Sequence, residues 1–311
     1  MTLLVTGSSG QLATHLRELW PEATFLGRSD LDLSRPSAIE PAVLSRRPTL
    51  IVNAAAYTAV DRAEVEPDVA WRVNAEAPAA LARAAQTLEI PLLHVSTDYV
   101  FEGRSTTPYR ETDPVAPLNV YGRSKLAGEL AVAALCRRHW ILRASWVFSE
   151  HGANFVKTVL RLARERGSLT IVDDQFGRPT YAGTLAGLIR DIVAGSHQAR
   201  GLPWGLYHAG AGPVVSWHGF AESIVAQAAA QGAIPVLTPV QAISTADYDE
   251  RSTSKPAARP LHAVLEPSTH HGVFVTQRDW RVDLETVIAS MTVRQPPSGR
   301  YSASSPGPAS R

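Results

Sequence analysis

The 311-residue sequence has one cysteine, Cys136, and three lysines, Lys125, Lys157 and Lys255. A single cysteine excludes an internal disulfide framework, and no Cys/His group has the spacing of a zinc site. Neither sign of charge dominates. The formal net charge of +1 gives no general attraction for nucleic acid or an anionic membrane, so an anionic ligand must be held by a local site. No apolar run approaches the roughly 18 residues of a membrane span, and the chain opens on an apolar strand with no basic leader. A reducing, cytoplasmic setting is expected by default. What is present suits a globular protein: 45% hydrophobic and 19% charged residues, in a length that fits one large domain or two modest ones.

Thr2 to Thr6 is a short apolar run, followed by Gly7-Ser8-Ser9-Gly10-Gln11-Leu12-Ala13 and a helical pattern through Leu16, Leu19 and Trp20. Strand, glycine turn and helix in this order leave backbone N–H groups and the positive helix end free for a diphosphate. An ordinary tight turn has the same composition, so its place at the first strand–helix junction carries the inference. The second strand, Thr24 to Leu26, ends where a dinucleotide fold inspects the adenosine ribose. An acid there would accept from the 2′-hydroxyl and repel a 2′-phosphate; here the residues are Gly27-Arg28-Ser29, with Asp30 and Asp32 beyond. Arg28 points to NADPH, with NADH possible, against the plainer reading of a solvated loop arginine.

A third strand, Leu50 to Val52, runs into Asn53-Ala54-Ala55-Ala56-Tyr57-Thr58, where small side chains leave room for a flat cofactor. A helix is expected through Val69, Val73, Ala77, Leu81 and Ala84, with Asn74 embedded in it. The fourth strand, Leu92 to Val95, ends on Ser96-Thr97-Asp98-Tyr99-Val100-Phe101. A hydroxyl there can reach a ligand crevice, although a turn or cap uses the same residues. After a loop from Glu102 to Leu118 comes Tyr121-Gly122-Arg123-Ser124-Lys125. A tyrosine and a lysine four apart share a helix face, so the ammonium can sit beneath the phenol and lower its pKa from about 10. Such a phenol can exchange a proton with a carbonyl or alcohol oxygen. The spacing arises by chance with a probability of about 0.08, so its neighbours decide its meaning.

A further strand, His139 to Ala144, ends on Ser145-Trp146, and the alternation of strands and helices implies right-handed crossovers and a parallel sheet covered on both faces. The second half is less regular. Helices are expected at Asn154 to Arg166, Thr184 to Ala194, Trp217 to Gln231 and Trp280 to Met291, with strands at Leu169 to Val172 and Gly205 to Ala209. Asp173 to Thr180 reads as too polar for core, Asp247 to Arg259 as a loop, His270-His271 as a solvent loop, and 292–311 as a disordered tail.

With these motifs in order, the chain resembles the extended short-chain dehydrogenase/reductases, and among them the branch that reduces dTDP-4-dehydro sugars. The matching stretches are Thr6–Leu12, Asn53–Thr58, Ser96–Phe101, Pro117–Glu129 and Asp173–Thr180, nearly the whole chain except its tail. The resemblance implies a Rossmann-like, doubly wound α/β fold with a smaller, discontinuous C-terminal α/β substrate domain. Residues 1–150, with returning elements near 181–210, would bind NAD(P), and 151–291 would mainly bind substrate. It implies NADPH-dependent reduction of the C4 ketone of dTDP-4-dehydro-6-deoxy-L-mannose, with Tyr121, Lys125 and Thr97 catalytic. Gly7, Gly10, Gln11, Leu12, Arg28, Asp32, Ala56, Tyr57 and Thr58 would hold the cofactor together with Tyr121 and Lys125. Thr97, Asp98, Tyr121, Trp146 and Arg259 would hold the nucleotide sugar.

Two departures from the family pattern stand out. The late loop reads Arg259-Pro260-Leu261-His262-Ala263 rather than the usual polar continuation, and the first helix offers His15 where some relatives carry acidic residues that bind magnesium between subunits. No metal is expected, no nucleic-acid or membrane partner, and either a monomer or a homodimer. Two other functions remain open: a nucleotide-sugar dehydratase or epimerase with tightly bound NAD, and a non-catalytic regulatory subunit of the methionine adenosyltransferase type.

Overall fold

Short apolar runs closed by glycine, asparagine or serine become parallel strands: β1 (Leu3–Thr6), β2 (Thr24–Leu26), β3 (Leu50–Asn53), β4 (Leu92–Thr97) and β5 (His139–Ala144). The structure, a computed structural model, describes residues 2–195, 202–210, 212–252, 256–270, 273–274 and 278–293. Together with the edge strand Gly205–Ala209, the five strands form one sheet in the order edge–β5–β4–β3–β1–β2. β1 and β3 are buried along their whole length, which is why their sequences are continuous rather than alternating runs. The chain winds outward in both directions from the β1/β3 pair. At such a switch point the loops leaving the two strands diverge, and a crevice opens at their carboxyl ends.

Helices cover both faces. On one, α1 (Gln11–Leu19) and the helix Ala182–Gly195 pack Leu12, Leu16, Leu185 and Ile189 against Val5, Val52 and Leu142. On the other, the helices Ile39–Arg46 and Ala77–Thr87 pack Ile39, Val43, Leu81 and Ala84 against Leu4, Ile51 and Leu92. Fully burying one such side chain stabilises the fold by about 1.5–3 kcal/mol. A third core joins the helices Phe155–Glu165, Trp217–Ala230 and Trp280–Val293 around Phe220, Trp280 and Leu284. Its strand Leu169–Val172 pairs in parallel with Val240–Ile243. Among the described residues no helix is long and apolar enough to cross a membrane.

Several expectations need correction. The helix expected through Val69 to Ala84 is broken into Pro67–Trp71, a π turn Arg72–Glu76 and Ala77–Thr87, and a separate short helix, Val60–Val65, precedes it. Prolines open two of these pieces, and the π turn inserts the extra residue that aims Asn74 inward. The stretch expected as loop from Asp247 begins inside a helix, Thr245–Arg251, because the Ser244 side chain accepts from Asp247 N while Asp247 answers as acceptor. Asp173 to Thr180 is less exposed than its polarity suggests, with Gln175 and Thr180 buried. Gln175 reaches Thr245 Oγ1, and the Thr180 hydroxyl donates to Arg178 O. The last helix continues through Val293; Lys255, His271 and 294–311 of the expected tail lie outside the described residues.

Candidate active site

Tyr121 and Lys125 lie one turn apart on the helix Val120–Leu135, which starts where Asn119 accepts from Gly122 N at 2.8 Å. That helix comes unusually close to its neighbours. A Cβ on Gly122 would lie 2.2 Å from Tyr99 O, and one on Gly128 would lie 2.1 Å from Asn74 O. The two glycines therefore bring the helix down onto the turn after β4 on one side and onto the π turn on the other.

At the end of β4, Thr97 and Asp98 are buried, the Thr97 hydroxyl donates to Asp98 Oδ1 at 3.0 Å, and Tyr99 N donates back to Thr97 Oγ1. The Tyr99 and Tyr121 rings meet edge to face at 5.4 Å. Burial pushes the Tyr121 phenol up to about 12, partly offset by the Thr97 hydroxyl. This reverses the direction expected from the Tyr–Lys spacing. Lys125 does not lower the phenol here, because its Nζ turns to Val95 O at 2.7 Å and to His94 Nε2 at 3.4 Å. Burial lowers the Lys125 ammonium to about 8, with Glu129 opposing the fall. Burial also raises the Asp98 carboxyl to about 7, against hydrogen bonds that favour its charged form.

These groups face a cleft of about 1010 Å³ that runs along the carboxyl ends of β1, β3 and β4. Gly7 has φ +87°, and its N–H donates to Leu26 O, so the turn after β1 is shaped by a conformation that favours glycine. Gly10 caps α1 without a side-chain hydrogen bond and has open space where a Cβ would stand. The first-turn N–H groups of α1 are thus unclaimed by any side-chain cap, which suits a diphosphate. Gln11 ties this turn to the loop after β5, since Asn154 Nδ2 donates to Gln11 Oε1 at 2.9 Å. Leu12 is buried beneath.

Asn74 clamps the loop after β3, accepting from Tyr57 N at 2.8 Å and donating to Tyr57 O and Ser124 Oγ, each at 3.0 Å. It thereby fixes Ala56, Tyr57 and Thr58 along the cleft. Arg28 lines the cleft beyond β2 with a side chain 83% exposed, 3.9 Å from Asp32. Asp32 itself accepts from Ser34 N and Ser34 Oγ, which hold its carboxyl below the usual range. Ser96 Oγ is buried on the cleft wall without a protein partner, an orphan that a bound ligand can satisfy.

Trp146 faces the other side of the cleft with φ +48° and stacks on Trp217 at 3.5 Å, interplanar angle 7°. Gly177 makes room for it, since a Cβ there would lie 2.4 Å from Trp146 Cε2. Arg259 is placed differently from the other expected contacts. It is absent from the cleft lining, and its guanidinium donates twice to Asp61, at 2.8 Å each. Three residues escaped the sequence reading as a group: His15, Glu150 and His151, whose metal-ligating atoms lie within 4.8 Å of one another. Their separation in sequence gives no signal. His15 Nε2 is 3.0 Å from Ser149 Oγ, so the group links α1 to the loop beside the glycine turn.

A diphosphate-ready turn, a cofactor-length cleft and a buried Thr–Tyr–Lys group define an NAD(P)-dependent oxidoreductase of the extended short-chain dehydrogenase/reductase class. Comparison with known proteins narrows the class. The family described as RmlD substrate binding domain matches residues 1–293. The dTDP-4-dehydrorhamnose reductase of Aggregatibacter actinomycetemcomitans is 40% identical over 293 residues, covering 92% of this chain and 98% of that one. The enzyme of the same name from Burkholderia thailandensis is 41% identical over 295 residues, covering 90% and 96%. The crystal structure of the Bacillus anthracis dTDP-4-dehydrorhamnose reductase in complex with NADP superposes with a TM-score of 0.82 at 34% identity, covering 93% of this chain and all of that one. The chain belongs to the dTDP-4-dehydrorhamnose reductase family.

Proposed function

We propose that the protein reduces the C4 ketone of dTDP-4-dehydro-6-deoxy-L-mannose to dTDP-L-rhamnose, using NADPH, with Tyr121 as general acid. The observation that carries this reading is the buried phenol of Tyr121 beside Thr97, raised to about 12 and so protonated across the working range. A protonated phenol gives a proton to a developing alkoxide, which is the direction a ketone reduction needs. Bound NADPH supplies the hydride. Thr97 holds the sugar oxygen from a neutral hydroxyl, and Lys125 holds the nicotinamide ribose from the same helix face as Tyr121.

Gly10, Gln11 and Leu12 at the start of α1 offer backbone N–H groups to the diphosphate, Gly7 shapes the turn that leads to them, and Ala56, Tyr57 and Thr58 line the path of the cofactor. Arg28 stands free for a 2′-phosphate, with Asp32 beside it on the adenosine side. Trp146 gives the sugar an apolar wall and Asp98 a polar contact. Arg259 would reach the sugar nucleotide's diphosphate only by exchanging Asp61 for it. In this reading residues 1–150 and 181–210 hold the cofactor, 151–291 mainly hold the sugar, and no step is assigned to a metal. A free, buried Cys136 suits a reducing cytoplasm, and a monomer or homodimer is proposed.

Purified protein mixed with NADPH and the 4-keto sugar tests the reading. Stoichiometric loss of nicotinamide absorbance is expected. Product formed without loss of cofactor would assign the chain to the dehydratase or epimerase chemistry instead, and NADPH binding without turnover would favour a regulatory subunit.

A further inference from the structure

Beneath the cleft runs a chain of buried polar side chains that the proposed chemistry leaves unexplained. Thr6 Oγ1 lies 2.6 Å from Asn53 Oδ1, Asn53 Nδ2 lies 2.9 Å from His94 Nδ1, and His94 Nε2 lies 3.4 Å from Lys125 Nζ. Thr6 stands opposite Asn53 in the sheet, and Asn53 opposite His94. All four side chains are buried. Four polar groups in a sheet interior are a large desolvation burden unless each hydrogen is placed.

Counting hydrogens links the imidazole to the amine. Burial, reinforced by the charge of Lys125, holds His94 well below its ordinary pKa, so the ring is neutral and carries one proton on its two nitrogens. With the Asn53 NH2 toward Nδ1, that proton sits on Nε2 and faces Lys125 Nζ, which can accept it only as the neutral amine. With the Asn53 amide turned over, its oxygen accepts from Nδ1–H and its NH2 meets the Thr6 hydroxyl. Nε2 then offers its lone pair to an ammonium. Each arrangement of the chain matches one charge state of Lys125.

We propose that His94 is a positioning residue for Lys125: with the Asn53 amide turned over so that its oxygen meets Nδ1–H, the His94 Nε2 lone pair holds the ammonium in place, whereas with the NH2 toward Nδ1, the orientation drawn in the structure, Nε2 carries the proton and meets the neutral amine. The other hydrogen bond of Nζ goes to the Val95 carbonyl, which every side-chain variant retains. Glu129, farther along the same helix, favours the ammonium but is committed to Arg143, whose guanidinium also meets His208. Asp98 and Tyr121 face the cleft end of the site. The inference rests on Lys125 being the cofactor-holding charge of the proposed site.

Three lysines make the test direct, because 13C at the lysine ε-carbons gives only three signals to follow through a pH titration of the cofactor-free protein. In the wild type, 15N signals of His94 are expected to report the proton on Nδ1 while Lys125 is charged. The proton should move to Nε2 at the same midpoint as Lys125 loses its own. In His94→Leu the Lys125 midpoint falls by about one pH unit and NADPH binding weakens by about tenfold. His94→Gln reaches toward Nζ with an amide oxygen and keeps the wild-type midpoint; His94→Asn reaches only Asn53 and behaves like His94→Leu. A His94 tautomer that stays fixed while Lys125 titrates would overturn the proposal, as would an unmoved midpoint in His94→Leu. Equal losses in all three variants would leave His94 a packing residue only. None of these readouts uses the sugar, so an inactive wild type would sink the reductase reading without touching this one.

Discussion

The interior of the C-terminal half and the interior of the sheet are built from different chemistry. Around Phe220, Trp280 and Leu284 the core is mostly rings and hydrocarbon, with the buried Asp283 held at its margin by Thr184 and Arg278, whereas the sheet buries Thr6, Asn53, His94, Ser96, Arg143 and His208. The polar residues are not scattered. Thr6, Asn53 and His94 lead to Lys125, while Arg143 pairs with Glu129 through two bonds of 2.9 and 2.7 Å and meets His208 at 3.2 Å. Burial holds the His208 ring down to about 4, with the Arg143 charge acting in the same direction. Apolar packing tolerates many shapes of similar volume, but a buried polar group tolerates only partners with hydrogens in the right places. The sheet half thus gives up some tolerance in return for fixed directions at the strand ends where the site stands.

The largest expected effect tests that contrast in stability. Glu129→Gln keeps the shape of the side chain yet leaves the Arg143 charge buried without its partner, which should cost about 3–5 kcal/mol in urea unfolding. Leu284→Met, a comparable change of shape in the apolar core, should cost under about 1.5 kcal/mol. Equal losses would mean that the two interiors do not differ in the way described. Next in size is the effect on chemistry. Tyr121→Phe should lower kcat by roughly 10²-fold or more while leaving the NADPH dissociation constant unchanged, as removal of a general acid does. Unchanged kcat would remove the phenol from the mechanism.

A third test uses pH. Burial raises Asp98 from 3.8 to about 7 in the folded protein, so the fold binds its proton more tightly than the unfolded chain does. The corresponding stability is fully present below the unfolded pKa and is lost as pH rises through 7. Between pH 5 and 8 the unfolding free energy of the wild type should fall by roughly 2 kcal/mol more than that of Asp98→Asn. Parallel curves for the two proteins would show that Asp98 is not held as the acid.

Local signals carried much of this into view from the sequence. β1 to β5 are legible because each is a short apolar run closed by a turn residue, and the glycine turn and the Tyr121–Lys125 pair are legible because their spacing is local. The pairing of Arg259 with Asp61 is hidden because the two lie 198 residues apart. The stacking of Trp217 on Trp146 and the grouping of His15 with Glu150 and His151 are hidden for the same reason. The phenol of Tyr121 is misjudged in another way: helical spacing reports which residues share a face, but not that burial outweighs a cation whose hydrogen bonds are directed elsewhere. Asn74 reads as an embedded polar residue, and only the π turn reveals that it clamps the loop after β3.

The smallest effect concerns Arg28, at the rim and outside both interiors. Its side chain is 83% exposed and its nearest acid, Asp32, is 3.9 Å away, so nothing in the protein competes strongly for its charge. A solvated arginine that meets a 2′-phosphate gains a charge-assisted contact worth about one factor of ten, and it has no such contact to lose with NADH. Arg28→Ala should therefore lower kcat/KM for NADPH about tenfold and change that for NADH little, with no measurable loss of stability. Equal losses for both cofactors would mean that Arg28 acts through the shape of the turn after β2 rather than through the phosphate. The cost of removing a polar group would then be set by local folding even where water surrounds it, and the contrast between the two interiors would have to include the rim.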